Sequence, residues 1–415
     1  MSPHRKVAAT PAAITASAAI LLASAASAAA APSFSLASAA IPGDNNLPFD
    51  ISLTNATPDI NNNRDIAVNF LDANANDGIF ITRNGIGATV RLTPAVATDP
   101  RINNNADAVW YEFFGPEPEG VWGSLNNSSA SNLVTPGPLG TNSISTPQID
   151  DQQRVAFRAS FGGNAQALTI LDNGSFNTVA TTSAADPASP FSFIYTPRFN
   201  NQNQIAAKVD TGPTAGSPPE QIRLFNADGS STLIAANNAD APGSIFQGSF
   251  DNSVDANDNA QVVFTARDTS IAATNADAVV VGDANTTTII ASTLDPDISN
   301  IQFFAPAISA SGLAAFIADD ATGNESIFAG DGNHLIKVVT TGDAIDTPLG
   351  TKFIAPDALS GSLAMNDQGD IAFSAFLNNA DGSPFGRVIA IANIPAPASA
   401  ALITLPALAA ARRRR

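Results

Sequence analysis

The 415-residue sequence contains no cysteine. That excludes disulfides, thiolate metal sites and cysteine nucleophiles together, and leaves stability to the size of the apolar core. Histidine is nearly absent too, since only His334 accompanies His4 near the start. A multi-histidine metal site is therefore excluded, and a lone imidazole at a strand edge reads as a surface or turn residue. Charged residues are 13% of the chain, and glutamate is confined to Glu112, Glu117, Glu119, Glu220 and Glu325. Helices faced with ion pairs are not expected from such a composition. Glycine-rich phosphate loops, H-E-x-x-H and G-x-S-x-G are also missing, so no catalytic residue is assigned and nothing in the sequence requires a cofactor.

What the chain does have is apolar and turn-forming residues. Hydrophobic side chains make up 44%, with 28 glycines and 28 prolines, which suits many short strands joined by many turns. The net charge is −18, but six of the 19 basic residues lie in the terminal segments; the body between them carries 13 against 37 acidic groups. A body this acidic repels phosphate backbones, so no nucleic-acid partner is expected; cations or a high-salt milieu suit it better.

Both termini read as addresses. Residues 1–31 open with His4, Arg5 and Lys6, continue through the apolar run Ala18 to Ala23 and reach the small-residue site Ala26-Ser27-Ala28. This is the pattern of a secretory signal peptide. At the other end Pro395-Ala396-Pro397 precedes an apolar stretch from Ala398 to Ala411 and then Arg412 to Arg415. The segment 395–415 resembles a PEP-CTERM sorting signal, with Ala396 where that family usually has Glu. The resemblance implies processing by an exosortase-type enzyme, transient membrane anchoring only, and delivery to the surface or extracellular matrix of a Gram-negative-type bacterium. The terminal arginines would hold the segment as a temporary stop-transfer anchor.

The body, 32–394, is one unit repeated. The clearest copy runs Met365-Asn366-Asp367-Gln368-Gly369-Asp370-Ile371-Ala372-Phe373, and it resembles the tandem N-x-x-G-x-x-A-F repeats of bacterial surface proteins. Equivalent anchors are Asn61, Asn103, Asp150, Asn200, Asn257, Ser309 and Asn366, spaced 42 to 57 residues apart. Five residues on stand Ile66, Ala108, Val155, Ile205, Val262, Ala314 and Ile371, and two further Val68, Trp110, Phe157, Ala207, Phe264, Phe316 and Phe373. Between them come Ala67, Val109, Ala156, Ala206, Val263, Ala315 and Ala372, all small or β-branched and uncharged. A strand buried on both faces, bulky on one and small on the other, needs a sheet in front and another behind. The expected fold is all-β: a seven-bladed β-propeller of four-stranded blades. Only six copies are followed by their own fourth strand, and Phe34 to Ala39 with Pro42-Gly43-Asp44 matches the pattern that ends in Thr341-Gly342-Asp343. The N-terminal strand is thus expected to close the ring. The repeat glycine survives only at Gly312 and Gly369, replaced elsewhere by Arg64, Ala106, Gln153, Asn203 and Ala260. Because glycine alone takes φ > 0 without cost, the turn is expected to differ between blades.

The one candidate metal loop is Asp72-Ala73-Asn74-Ala75-Asn76-Asp77-Gly78. Oxygen side chains of Asp72, Asn74, Asn76 and Asp77 ahead of a glycine resemble a calcium loop, although Arg83 stands where a closing Glu would be; a plain Asx-rich turn is the other reading. Trp110 and Trp122 read as blade core rather than a sugar platform. The expected function is a noncatalytic surface or matrix protein presenting loops to an exopolysaccharide or envelope partner. Two alternatives remain: a hydrolase or lyase using aspartates and a bound cation at the axial channel, and a Ca²⁺-stabilised adhesion module.

Overall fold

The computed structural model describes residues 34–48, 51–53, 57–214 and 218–393. The expected signal peptide and sorting signal lie outside the described residues. Seven antiparallel sheets follow one another along the chain, each with its strands in simple up-and-down order. The third is representative, running Ser143–Ile149, Val155–Gly162, Ala165–Asp172 and Ser175–Thr181 from the innermost strand outward. Among the described residues the only helix is the four-residue Pro136–Leu139.

Ring closure is as the repeat count requires. Ser35–Ala40 pairs antiparallel with Pro384–Asn393 and takes the outermost place of the last sheet, so the two ends of the chain share one blade. The turns that leave the two matched strands are alike, with Gly43 at φ 85° and Gly342 at φ 89°. Asp44 N–H donates to the Ile41 carbonyl, and Asp343 N–H to that of Thr340.

The alternating bulky and small faces explain how neighbouring sheets fit. Ala67, Val109, Ala156, Ala206, Val263, Ala315 and Ala372 are all 0% exposed. Each packs with the bulky face of the next blade: Ala67 shares a cluster with Trp110, Val109 with Phe157, Ala206 with Phe264, Val263 with Phe316 and Ala315 with Phe373. The last joins Ala372 to Val68 and Phe70, the end of the chain to its beginning. A small residue on one face is what lets the neighbour's aromatic ring approach the sheet, and the burial drives ring formation.

The turns correct the sequence expectation. They do not differ between blades: Arg64, Ala106, Gln153, Asn203, Ala260, Gly312 and Gly369 all have positive φ, from 58° to 92°. In every copy the N–H of this residue donates to the anchor carbonyl and the anchor N–H donates in return to the carbonyl four residues on, for example Ala260 to Asn257 at 3.3 Å and Asn257 to Gln261 at 3.1 Å. The anchor side-chain oxygen adds two more bonds in six copies, as from Asn259 and Gln261 N–H to Asn257 Oδ1. Several bonds of roughly 1 kcal/mol each outweigh the ~1–2 kcal/mol cost of a left-handed L-residue. Two of the replacements also reach back to the preceding blade. Arg64 forms a two-pronged ion pair with Asp370, and Gln153 Nε2 donates to Asp107.

Ala260 makes no such reach, so only the turn's own bonds offset its strain. Ala260→Gly is expected to raise the unfolding free energy by about 0.5–1 kcal/mol, and Gly369→Ala to lower it by about 1 kcal/mol, in denaturant titrations.

Candidate functional site

The innermost strands surround the axis, and a proline shapes most of them. Pro58, Pro100, Pro147, Pro197 and Pro306 each stand three residues before an anchor. Proline has no N–H to give to the ladder, so it is tolerated on a strand whose outer side faces a channel. Pairing slips at this level, between Thr98 and Arg101 and between Ser145 and Gln148, while in the first, fourth and sixth blades the strand is split into two short pieces. Asp99 and Thr146 enter the left-handed region there, at φ 53° each. The residues that follow these bulges line an axial cavity of about 150 Å³.

One residue past the bulge, two before the anchor, side chains enter the cavity. Blades one to five contribute Asp59, Arg101, Gln148, Arg198 and Asp255 in that order. The carboxylates are held by main chain of a neighbouring blade: Ile102 N–H donates to Asp59 at 2.8 Å and Ile308 N–H to Asp255 at 3.1 Å. The guanidinium groups are less well served. Arg101 lies 3.6 Å from Asp59, and Arg198 lies 3.8 Å from Asp255 while donating to the Val254 carbonyl at 3.3 Å and Gln148 Oε1 at 3.4 Å. Arg101 Nε and Gln148 Nε2 are buried with no hydrogen-bond partner, an arrangement that costs about 1–3 kcal/mol per group. Burial, and then the like charge of Arg101, push the Arg198 guanidinium down to about 10. Burial raises the Asp255 carboxyl, against the opposing pull of Arg198.

The mouth of the cavity is formed one residue after the anchors. Asn62, Asn104, Asp151, Asn201, Asp258 and Asp367 line it, so carboxylates do gather at one end of the axis. They are committed to one another's blades. Asn104 donates through its main-chain and side-chain nitrogens to Asp151 at 2.8 Å each; Asn201 donates likewise to Asp258 at 2.8 and 3.1 Å, and Asn62 Nδ2 donates to Asp367. Among the described residues no group of three or more His, Asp or Glu is placed to hold a metal ion.

The calcium-loop candidates lie at the far end of blade one's second strand, where Asp72, Asn74 and Asn76 form an Asx turn. Asp72 Oδ1 accepts the Asn74 and Asn76 N–H groups at 2.8 Å, and its Oδ2 accepts Asn76 Nδ2 at 2.9 Å. These bonds, led by the Asn76 amide, lower its carboxyl. Asp77 instead begins the next strand and faces blade two, where burial raises it and the Ala97 N–H opposes that shift. Of the other singled-out residues, Trp110 is fully buried with Nε1–H donating to Glu112, and Trp122 is buried beneath the Arg91 guanidinium. His334 is an exposed turn residue 3.5 Å from Asp331. The lumen residues Asp59, Arg101, Gln148, Arg198 and Asp255 escaped the sequence reading, though their fixed offset from the anchors was a signal that could have found them.

Seven four-stranded blades around a polar axis make this protein a β-propeller. By sequence it belongs to the Family of unknown function (DUF7453), whose model matches residues 149–393, from the third anchor turn to the end of the last blade. No curated protein matches the sequence. Among solved structures it is similar to the β-propeller domain of the Trilobed protease from Pyrococcus furiosus, described as having an open velcro topology, with TM-score 0.52 and 13% identity over 79% of this chain and 93% of that one. It is also similar to a Mycobacterium tuberculosis puromycin-hydrolyzing peptidase (TM-score 0.51, 9% identity, 84% of this chain and 54% of that one). A third is the Pyrococcus horikoshii acylaminoacyl peptidase (TM-score 0.50, 13% identity, 81% and 51%). The chain spans about half the length of these two peptidases, and at such identities the likeness is one of fold.

One carboxyl away from the axis is strongly shifted. Glu325 is half-buried where the sixth blade meets the seventh, and burial pushes it up to about 7, with Asp319 and Asp357 adding repulsion and the Leu359 N–H opposing. A raised folded pKa means that the stabilisation is fully present below the unfolded value of about 4.3 and is lost as pH rises through about 7. Thermal melts from pH 5 to 8 are therefore expected to show wild type losing more stability than Glu325→Gln. Parallel curves would contradict this assignment.

Proposed function

We propose that this protein is an exported, noncatalytic propeller of the bacterial cell surface or extracellular matrix, and that it binds an exopolysaccharide through the face opposite the anchor turns. Export rests on the signal-like and sorting-like termini. The axis supports a scaffold role, since its mouth carboxylates each hold a neighbouring blade and none is paired with a base or nucleophile in reach.

The observation that carries the binding reading is Phe114. This residue is 84% exposed and sits at φ 57°, a conformation that costs a bulky side chain energy and is retained mostly where function uses it. It extends an aromatic series. Tyr111 stacks on Phe113 at 5.0 Å, Phe113 meets Phe114 edge-on at 4.8 Å, and the Tyr111 hydroxyl donates to Glu119 at 2.6 Å. An exposed ring backed by two half-buried ones, beside a carboxylate, offers a sugar both an apolar face and a hydrogen-bond acceptor.

Retention on immobilised bacterial exopolysaccharides, measured by surface plasmon resonance, is expected to fall about tenfold in Phe114→Ala, matching the ~1.4 kcal/mol of one good aromatic contact. The melting temperature should stay unchanged. Equal binding by the variant would overturn the proposal, as would polysaccharide turnover abolished by a substitution at Asp151, Asp258 or Asp367.

A further inference from the structure

We infer that the axial cavity binds the carboxylate of a small organic acid between Arg101 and Arg198, with Gln148 at the midpoint. This goes beyond the loop-face reading and uses none of its residues. The five polar side chains of the lumen run Asp59, Arg101, Gln148, Arg198, Asp255 around the ring, an order symmetric about Gln148. The two guanidinium groups therefore flank one amide, and each carboxylate sits outside them.

The donors in the middle are under-used. Gln148 is 5% exposed, its Oε1 accepts from Arg198, and its Nε2 has no partner. Arg101 Nε is likewise buried and unpartnered. Asp59 and Asp255 do not fill these forks, because each gives one oxygen to a main-chain N–H and stands 3.6 or 3.8 Å from its arginine. A planar carboxylate is the acceptor that matches guanidinium and amide donors presented side by side.

The surroundings choose among anions. Asp59 and Asp255 beside the site, and Asp151, Asp258 and Asp367 at the mouth, repel a second negative charge, which disfavours phosphate and sulfate. Across the lumen Ile308, Ala364 and Met365 supply what apolar lining there is, on the side where the hydrocarbon end of an acid would lie. The volume of about 150 Å³ corresponds to roughly five waters at ~30 Å³ each, enough for an acid of a few carbons.

Isothermal titration of the full-length protein with acetate, propionate and butyrate is expected to give saturable one-to-one binding of at least one acid, with phosphate at least tenfold weaker. Gln148→Leu and Arg101→Lys, checked for folding by thermal melts, should each weaken that acid at least tenfold while leaving exopolysaccharide retention unchanged. Where a variant fails to fold, the wild-type ranking decides. No heat from any acid, phosphate binding as well as the acids, or full binding by a folded Gln148→Leu variant would overturn the proposal.

Discussion

Each blade is tied to the next by a side chain that makes two kinds of bond at once. The anchor asparagine accepts through Oδ1 from two N–H groups of its own turn, and donates through Nδ2 to the carbonyl of the next anchor. Such links run from Asn61 to Asn103, Asn103 to Asp150, Asn200 to Asn257, Asn257 to Ser309 and, across the closure, Asn366 to Asn61, all at 2.8–3.1 Å. All seven anchors are 4% exposed or less, so these bonds form where an unpaired group would be costly. Asparagine carries its acceptor and its donor on separate atoms of one short amide, whereas a serine has a single oxygen for both and an aspartate carboxylate only accepts. Where the anchor is Asp150, Arg154 supplies the missing donor, bonding Asp150 at 2.5 Å and the Asn201 carbonyl at 3.2 Å. Where it is Ser309, the hydroxyl bonds within its own turn, to Ser311 at 2.9 Å and from the Leu313 N–H at 3.2 Å.

From this constraint the rest of the architecture follows. Fixing the anchors fixes the height at which consecutive second strands start, and hence which residues face one another between blades. The small residue at one offset then meets the bulky one at the next, seven times around. The same register brings the residue two before each anchor into the lumen, so the chemistry of the axis is set by a single column of the repeat.

Much of this was legible in the sequence because it repeats. The anchors, the alternation from Ile66 to Val68 and its six copies, and the outer strands were read from spacing, and so was the closing N-terminal strand. The turn was misread because glycine was treated as the reason for it. The structure shows that the anchor's own hydrogen bonds carry the conformation, and these do not depend on whether Gly369 or Ala260 occupies the position. The lumen was missed for a different reason. Asp59, Arg101, Gln148, Arg198 and Asp255 differ in type, so no motif search finds them, and their common feature appears only after the proline bulge places them at one level. Asp72, Asn74 and Asn76 show how little such a pattern decides, since the same alternation that suggests a cation loop also builds the Asx turn seen there.

The central claim is that the anchor amides hold neighbouring blades in register. Its most direct test is the unfolding free energy of Asn257→Ser, which copies the natural gap at Ser309, set beside that of Ser309→Asn, which fills it. The expected result is a loss of about 1–2 kcal/mol for the first and a gain of up to about 1 kcal/mol for the second. Unfolding of Asn257→Ser at the wild-type midpoint and slope would contradict the account.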